Sequence, residues 1–290
     1  MKPAPFDYVR PDTIDEACRL LAEAGGGAVL IAGGQTLMPL LNLRMSQPFV
    51  LIDLSGIPDL CGVKRVAGGI SIGPMMVQNA AKDDPLVRAE IPLLARALGH
   101  VGHHQTRNRG TIGGSIAFAE PAAECPATAL ALDAVVQIRS VRGERSVAME
   151  DFLFGPYVTA LAFDEIMTAI VFPDPPTGRT VPIFAEVARR PGDFALVGLA
   201  GQLTFDGNTI TAASLAWFGM GPRALRARQA EAAMSGKDLH EIDIAALADL
   251  AIADTQPFDD KAASAVYRET VGRKIFARTV GGVLEAEVAA

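Results

Sequence analysis

Two short stretches of this chain hold residues whose types and spacing could do chemistry without an evident acid or base. AGGQT runs from Ala32 to Thr36, and RNRGTIGGS runs from Arg107 to Ser115. Gly33 and Gly34 in the first, with Gly110, Gly113 and Gly114 in the second, leave backbone N–H groups that no side chain shields. Glycine permits positive φ and close approach, and successive N–H groups in a turn can form an anion-binding concavity. Thr36, Thr111 and Ser115 add hydroxyls. Neither stretch is a P-loop, because GxxxxGK[ST] is missing, and neither is the GxGxxG of a nicotinamide-binding Rossmann unit. Two such loops converging from opposite sides fit a pyrophosphate. A Gly-Gly pair alone most often marks a turn, so the residues leave both readings open.

Other reactive residues give weaker patterns. His100, His103 and His104 cluster in GHVGHHQTRNRG, and His100 and His104 share a helical face at i, i+4. No third ligand or acid lies nearby to close a metal site, so they read as polar loop residues. Cys18, Cys61 and Cys125 stand far apart without a CxxC pair and cannot supply an all-cysteine zinc or iron–sulfur site. Scattered thiols without a signal-peptide pattern are expected in the reduced cytoplasm. No nucleophile-elbow motif supports hydrolysis. The net charge of −7 disfavours nucleic acid and anionic membranes as partners. No apolar run reaches the length of a membrane span.

The elements around the loops are legible. Thr13 and Glu16 have capping-box spacing before Ile14, Ala17, Leu20, Leu21 and Ala24, and Gly25 to Gly27 stop that helix. Residues 28–32 (AVLIA) and 49–54 (FVLIDL) read as buried strands, the first leading straight into AGGQT. Residues 62–74 read as a hairpin turning at Ala67-Gly68-Gly69, followed by helical material to Leu98 interrupted at Pro85 and Pro92. A short helix over 126–132 and strands over 135–140 and 164–173 follow. PDPPTGR, 173–179, has the composition of a linker. Beyond it the pattern predicts strands over 181–188, 194–205 and 209–218, then helices over 225–234, 242–253 and 262–279. That order is α+β.

The two glycine stretches, extended to IAGGQTLMPLL (31–41) and RNRGTIGGSIAFAEPAAECPA (107–127), resemble the FAD loops of the medium, flavin-binding subunit of molybdenum hydroxylases. That family includes carbon monoxide dehydrogenase and xanthine dehydrogenase. The resemblance extends over FDYVRPDTIDEA near the start, ARRPGDFALVG (188–198) and SAVYRETVGRKIFARTV (264–280). It implies a PCMH-type FAD-binding fold of two α/β subdomains, 1–57 and 58–175, then a C-terminal domain, 178–287, of antiparallel sheet and three helical segments. By the same resemblance Ile31, Ala32, Gly33, Gly34, Gln35, Thr36 and Leu37 would wrap the FAD pyrophosphate from one side. Thr111, Ile112, Gly113, Gly114 and Ser115 would wrap it from the other. Val101 and Gly110 would line the adenosine or flavin environment, Glu124 would bond a cofactor hydroxyl, and Phe194 would sit near the isoalloxazine.

The family role implied is electron transfer with no catalytic side chain in this chain. Electrons would come from a molybdenum cofactor in a large partner subunit through two [2Fe–2S] clusters in a small one, in a dimer of heterotrimers, and leave to an external acceptor. Two positions depart from relatives: Glu120 replaces other patterns, and Ala185 falls where animal xanthine enzymes carry a lysine. The alternative is a free-standing flavin oxidase with its own substrate pocket.

Overall fold

The computed structural model describes residues 2–289. Its first unit is a three-stranded parallel sheet, β1 (Asp7–Val9), β2 (Ala28–Ile31) and β3 (Val50–Asp53), in the order β1-β3-β2. The helix Ile14–Ala24 crosses between β1 and β2 and buries Ala17, Cys18 and Leu21. Thr13 Oγ1 accepts the N–H of Glu16 at 3.2 Å, and Gly25 ends the helix in the left-handed region at φ 54°. The Glu16 carboxylate reaches back to the N–H of Asp12, one residue before the position a standard capping box uses. AGGQT thus sits where a parallel strand ends, the usual edge for ligands in such sheets.

The second unit is an antiparallel sheet ordered β4-β5-β10-β6-β7. Its strands are β4 (Val63–Val66), β5 (Gly69–Ile72), β6 (Val135–Ser140), β7 (Gly143–Ala148) and β10 (Ile166–Pro173). A small ribbon, β8 (Leu153–Gly155) and β9 (Val158–Thr159), lies beside it. Pro85 and Pro92 each open a new helix at its first position, giving Gln78–Asp83, Pro85–Glu90 and Pro92–Leu98. Proline lacks only an N–H that a first turn cannot use.

The third unit is the sheet β11 (Arg179–Val187), β12 (Val197–Asp206), β13 (Thr209–Phe218) and β14 (Leu225–Arg226), with β15 (Lys237–Asp238) also paired to β13. Both faces are covered, so β12 is apolar almost throughout rather than alternating. One face packs through Ala200, Ala216 and Phe218 on the core of the second unit. The other packs through Leu199, Leu203 and Trp217 under the C-terminal helices. The helix Glu124–Ala131 packs on β12 and β13 of the third sheet and joins the core of the second unit, with every residue buried. Alanine-rich sequence allows this, because a helix buried all round must be small and apolar on every face. Arg226 bridges the units: its guanidinium bonds Glu231, Asp133 and the Leu130 carbonyl. Removing one partner of such a buried set costs about 3–5 kcal/mol.

Three sequence expectations change. Residues 112–115, read as part of a loop, instead open a helix (Ile112–Phe118) capped by Thr111. Leu225 and Arg226 are strand, and the helix begins at Arg228. The last helix runs from Ala265 to Val288, well past Thr279. Gly281 and Gly282 do not stop it, because Gly281 lets Ile244 approach while buried Val280 and Leu284 continue its apolar face.

Candidate functional site

AGGQT and RNRGTIGGS meet backbone to backbone. A Cβ on Gly33 would overlap the carbonyl of Arg109 and lie 2.8 Å from the Cα of Gly110. The two stretches therefore form one structure, with glycine at the contact. Between them and the third unit lies a cavity of about 850 Å³, within the range of ligand sites.

The first stretch provides the free donors. Among the described residues, the N–H groups of Gly33, Gly34, Gln35, Thr36 and Leu37 have no acceptor in the chain. Gly34 takes φ +70°, the turn that swings these groups to one side before the helix Leu37–Asn42 begins. Thr36 stands at its N-cap without using its hydroxyl there.

The second stretch differs from the expectation of unshielded N–H groups. Gly113 donates to Pro74 O at 2.9 Å, Ile112 to Met76 O at 3.0 Å, and Gly114 to Thr111 Oγ1 at 3.0 Å. Its glycines serve packing: a Cβ on Gly113 would overlap Pro74, and one on Gly114 would lie 2.8 Å from Thr111 Oγ1. This side is a rigid wall. Ile112 is wholly buried in the core and its side chain does not line the cavity.

The structure brings most of the predicted residues together. Ala32, Gly33, Gly34, Gln35, Thr36, Leu37, Val101, Gly110, Thr111, Gly113, Gly114, Ser115, Glu124 and Phe194 all line the large cavity. Ile31 instead lines a smaller hollow of about 510 Å³ on the other side of the first stretch, with Asp53 and Arg109. Phe194 is 59 % exposed and reaches the rim from the C-terminal unit.

Glu124, first residue of its helix, is 3 % exposed. Burial pushes its carboxyl up to about 8, with the charge of Glu186 adding to the rise. Glu186 is itself raised to about 7 by burial, and one of its oxygens lies 3.3 Å from His100 Nδ1. Burial and the charges of Arg96 and Arg107 push His100 down. The opposed shifts weaken this contact as an ion pair, because burial disfavours the charged form of each partner. His100 also stacks on Phe184, while the ring of His103 lies where a side chain on Gly192 would be. Arg107 holds the Val101 turn through the carbonyls of Val101 and Gly102. Buried Cys125 is pushed up to about 12 and is inert as a thiolate. Glu120 accepts from the hydroxyl of Tyr157 at 2.8 Å, and Ala185 packs against the C-terminal core.

Sequence reasoning missed several contributors. Gln78 lines the cavity at 4 % exposure, and its N–H donates to Gly110 O at 2.8 Å. Leu161 to Phe163 and Glu165 to Met167 supply further wall from the strand leading back to the third unit. Arg268 sits 2 % exposed on the last helix, where it bonds the carbonyls of Leu196, Gly219 and Phe258 and the carboxylate of Asp260. It fixes the segment that carries Phe194. Arg268 falls within the stretch 264–280 that carries the resemblance, but nothing there signals its contact; the others stand in no motif and are marked only by three-dimensional neighbourhood.

The donor set fits a flavin dinucleotide: five free N–H groups for a pyrophosphate, and buried acceptors for hydroxyls. Comparison with known proteins agrees. Residues 4–175 match the family described as the FAD binding domain in molybdopterin dehydrogenase, and residues 183–283 match the CO dehydrogenase flavoprotein C-terminal domain. The chain is 38 % identical to the 6-hydroxypseudooxynicotine dehydrogenase complex subunit alpha of Paenarthrobacter nicotinovorans, over 98 % of this chain and 96 % of that one. Against the carbon monoxide dehydrogenase medium chain of Hydrogenophaga pseudoflava it is 35 % identical over 97 % of each. The solved carbon monoxide dehydrogenase of that organism superimposes with a TM-score of 0.92 at 36 % identity, covering 97 % of this chain and 98 % of the other. Quinoline 2-oxidoreductase of Pseudomonas putida 86 gives the same TM-score and identity over 99 % of each. The chain belongs to the FAD-binding medium subunits of the molybdenum hydroxylases.

Proposed function

We propose that the chain holds FAD with the pyrophosphate against the N–H groups of Gly33 to Leu37, backed by the wall from Gly110 to Ser115. The observation that carries this reading is the cavity of about 850 Å³ on which the two stretches converge, the first with five successive free donors and the second with most of its N–H groups committed within the chain. Glu124 accepts a cofactor hydroxyl, Val101 and Gly110 flank the adenosine or ring system, and Phe194 covers the ring edge. When bound, the flavin supplies the exchange between single electrons and electron pairs. The chain's own residues bind it, orient it and exclude water from it.

The partners are a large subunit carrying the molybdenum cofactor and a small subunit with two [2Fe–2S] clusters, assembled as a dimer of heterotrimers in the cytoplasm. Among the described residues no helix is long and apolar enough to cross a membrane. Relatives of comparable identity are named for nicotine derivatives, carbon monoxide and glyceraldehyde. Substrate choice therefore lies in the large subunit, and this chain passes electrons to an external acceptor. The test is to co-express the chain with its partners and follow the flavin absorbance on adding substrate. Bleaching in the complex and none in the chain alone is expected. Bleaching of the chain alone by an organic substrate would instead establish a free-standing oxidase.

A further inference from the structure

The cavity wall contains a buried polar side chain to which the reading above gives no role. Gln78 opens the helix Gln78–Asp83 and is 4 % exposed. Its backbone N–H is committed to Gly110 O at 2.8 Å, which fixes where the residue stands relative to the second glycine stretch. The side-chain amide lies beside Cys125 on one side. On the other side Oε1 has no hydrogen-bond partner among the described residues. It points toward Gly110, where a Cβ would lie 2.6 Å from it, and the Cα of that glycine is no donor. Buried acceptors are nearly always paired, and one left open on a cavity wall points to a donor on whatever fills the cavity.

Glu124 is a second acceptor on the same wall. It is buried on the same cavity, and no side chain or other backbone N–H among the described residues donates to its carboxyl. Two buried acceptors on one wall, against free N–H donors on the opposite stretch, divide the site by chemistry. The donor side suits the phosphates, and the acceptor side suits a polyhydroxylated chain. We propose that Gln78 Oε1 accepts a hydrogen bond from a sugar or sugar-alcohol hydroxyl of the bound dinucleotide, as a second hydroxyl acceptor besides Glu124. This rests on the FAD reading of the cavity. Gly110 is then glycine for a further reason: a Cβ there would sit 2.6 Å from Oε1 and block the approach.

The hydroxyl can belong to the ribityl chain or to the adenosine ribose, and half-ligands separate the two. The full-length chain and its Gln78→Met form, which keeps the length and loses the acceptor, are titrated with FAD, FMN and ADP-ribose by flavin fluorescence and calorimetry. A three- to tenfold loss is expected, the usual worth of one such bond. Loss for FAD and FMN with ADP-ribose unchanged places the hydroxyl on the ribityl chain; loss for FAD and ADP-ribose with FMN unchanged places it on the ribose. Unchanged affinity for all three, or equal loss for all three, overturns the proposal. Should the methionine form not fold, Gln78→Ala, which adds no atom, is read the same way. Failure of the unaltered chain to bind FAD would sink the FAD reading itself, a separate outcome.

Discussion

The two glycine stretches look alike on paper and work in opposite ways. In AGGQT, glycine serves conformation: Gly34 turns through positive φ, and five successive N–H groups stay free. In RGTIGGS, Gly113 and Gly114 lie inside a helix, their N–H groups are consumed, and they are small because Pro74 and Thr111 occupy the space beside them. Composition cannot distinguish a residue chosen for its φ from one chosen for lacking a Cβ. The partners of the N–H groups can.

The strongest way to break this comparison is at the contact between the two. Gly33→Ala drives a methyl group into the Arg109 carbonyl, backbone that cannot rotate away. We expect the variant to purify without FAD, an effect of at least 100-fold in affinity; near-stoichiometric flavin in its absorbance spectrum would show that the stretches can part without harm.

A smaller effect is expected from Thr111→Val, which keeps the volume and removes the hydroxyl that caps Gly114 N–H. Loss of such a cap costs about 1 kcal/mol. FAD affinity should fall about fivefold, and the melting temperature by about 2–4 °C. A loss as large as that of Gly33→Ala would mean that the second stretch binds phosphate directly rather than acting as a wall.

The acceptor side should appear in the pH dependence of the flavin-free protein. Glu124 and Glu186 are both raised above their usual 4.5, so the folded state holds protons that the unfolded state has released. Stability is then fully present below about 4.5 and is lost as pH rises through about 7 and about 8. Asp53, Glu165 and Asp260 are lowered and act in the opposite sense, below that window. Melting should fall by several degrees between pH 5.5 and 8.5, and Glu124→Gln should flatten most of that slope. A slope unchanged in that variant would place the titration elsewhere.

The smallest effect on binding belongs to Phe194→Ala. The ring is exposed on the rim, so FAD affinity should change less than about twofold. The rate at which small acceptors reoxidise the reduced protein, followed by stopped flow, should rise. An unchanged rate would remove Phe194 from the flavin edge.

Much of the fold was legible because local signals agreed with it. Thr13 and Gly25 bound the first helix, Pro85 and Pro92 restart helices, and Gly68 turns a hairpin. The helix from Ile112 was not legible, since two adjacent glycines argue against helix until Pro74 is seen packed on one of them. The lining of the cavity was readable where its residues adjoin in sequence, as in 32–37, 110–111 and 113–115, whereas Ile31 and Ile112 face elsewhere. The roles of Gln78 and Arg268 were invisible for the opposite reason: each acts on a segment far away in the chain, and nothing beside it in sequence records the contact.

Arg268 carries a consequence in time as well as space. The segment bearing Phe194 is tied at Leu196 to a guanidinium 72 positions later. During synthesis the glycine stretches and their sheets are complete long before that residue leaves the ribosome. The proposed pyrophosphate cradle can therefore form on the nascent chain, while the segment that carries Phe194 must wait for the final helix. A chain cut short before Arg268 should make a holder that loads its dinucleotide and leaves it exposed to solvent.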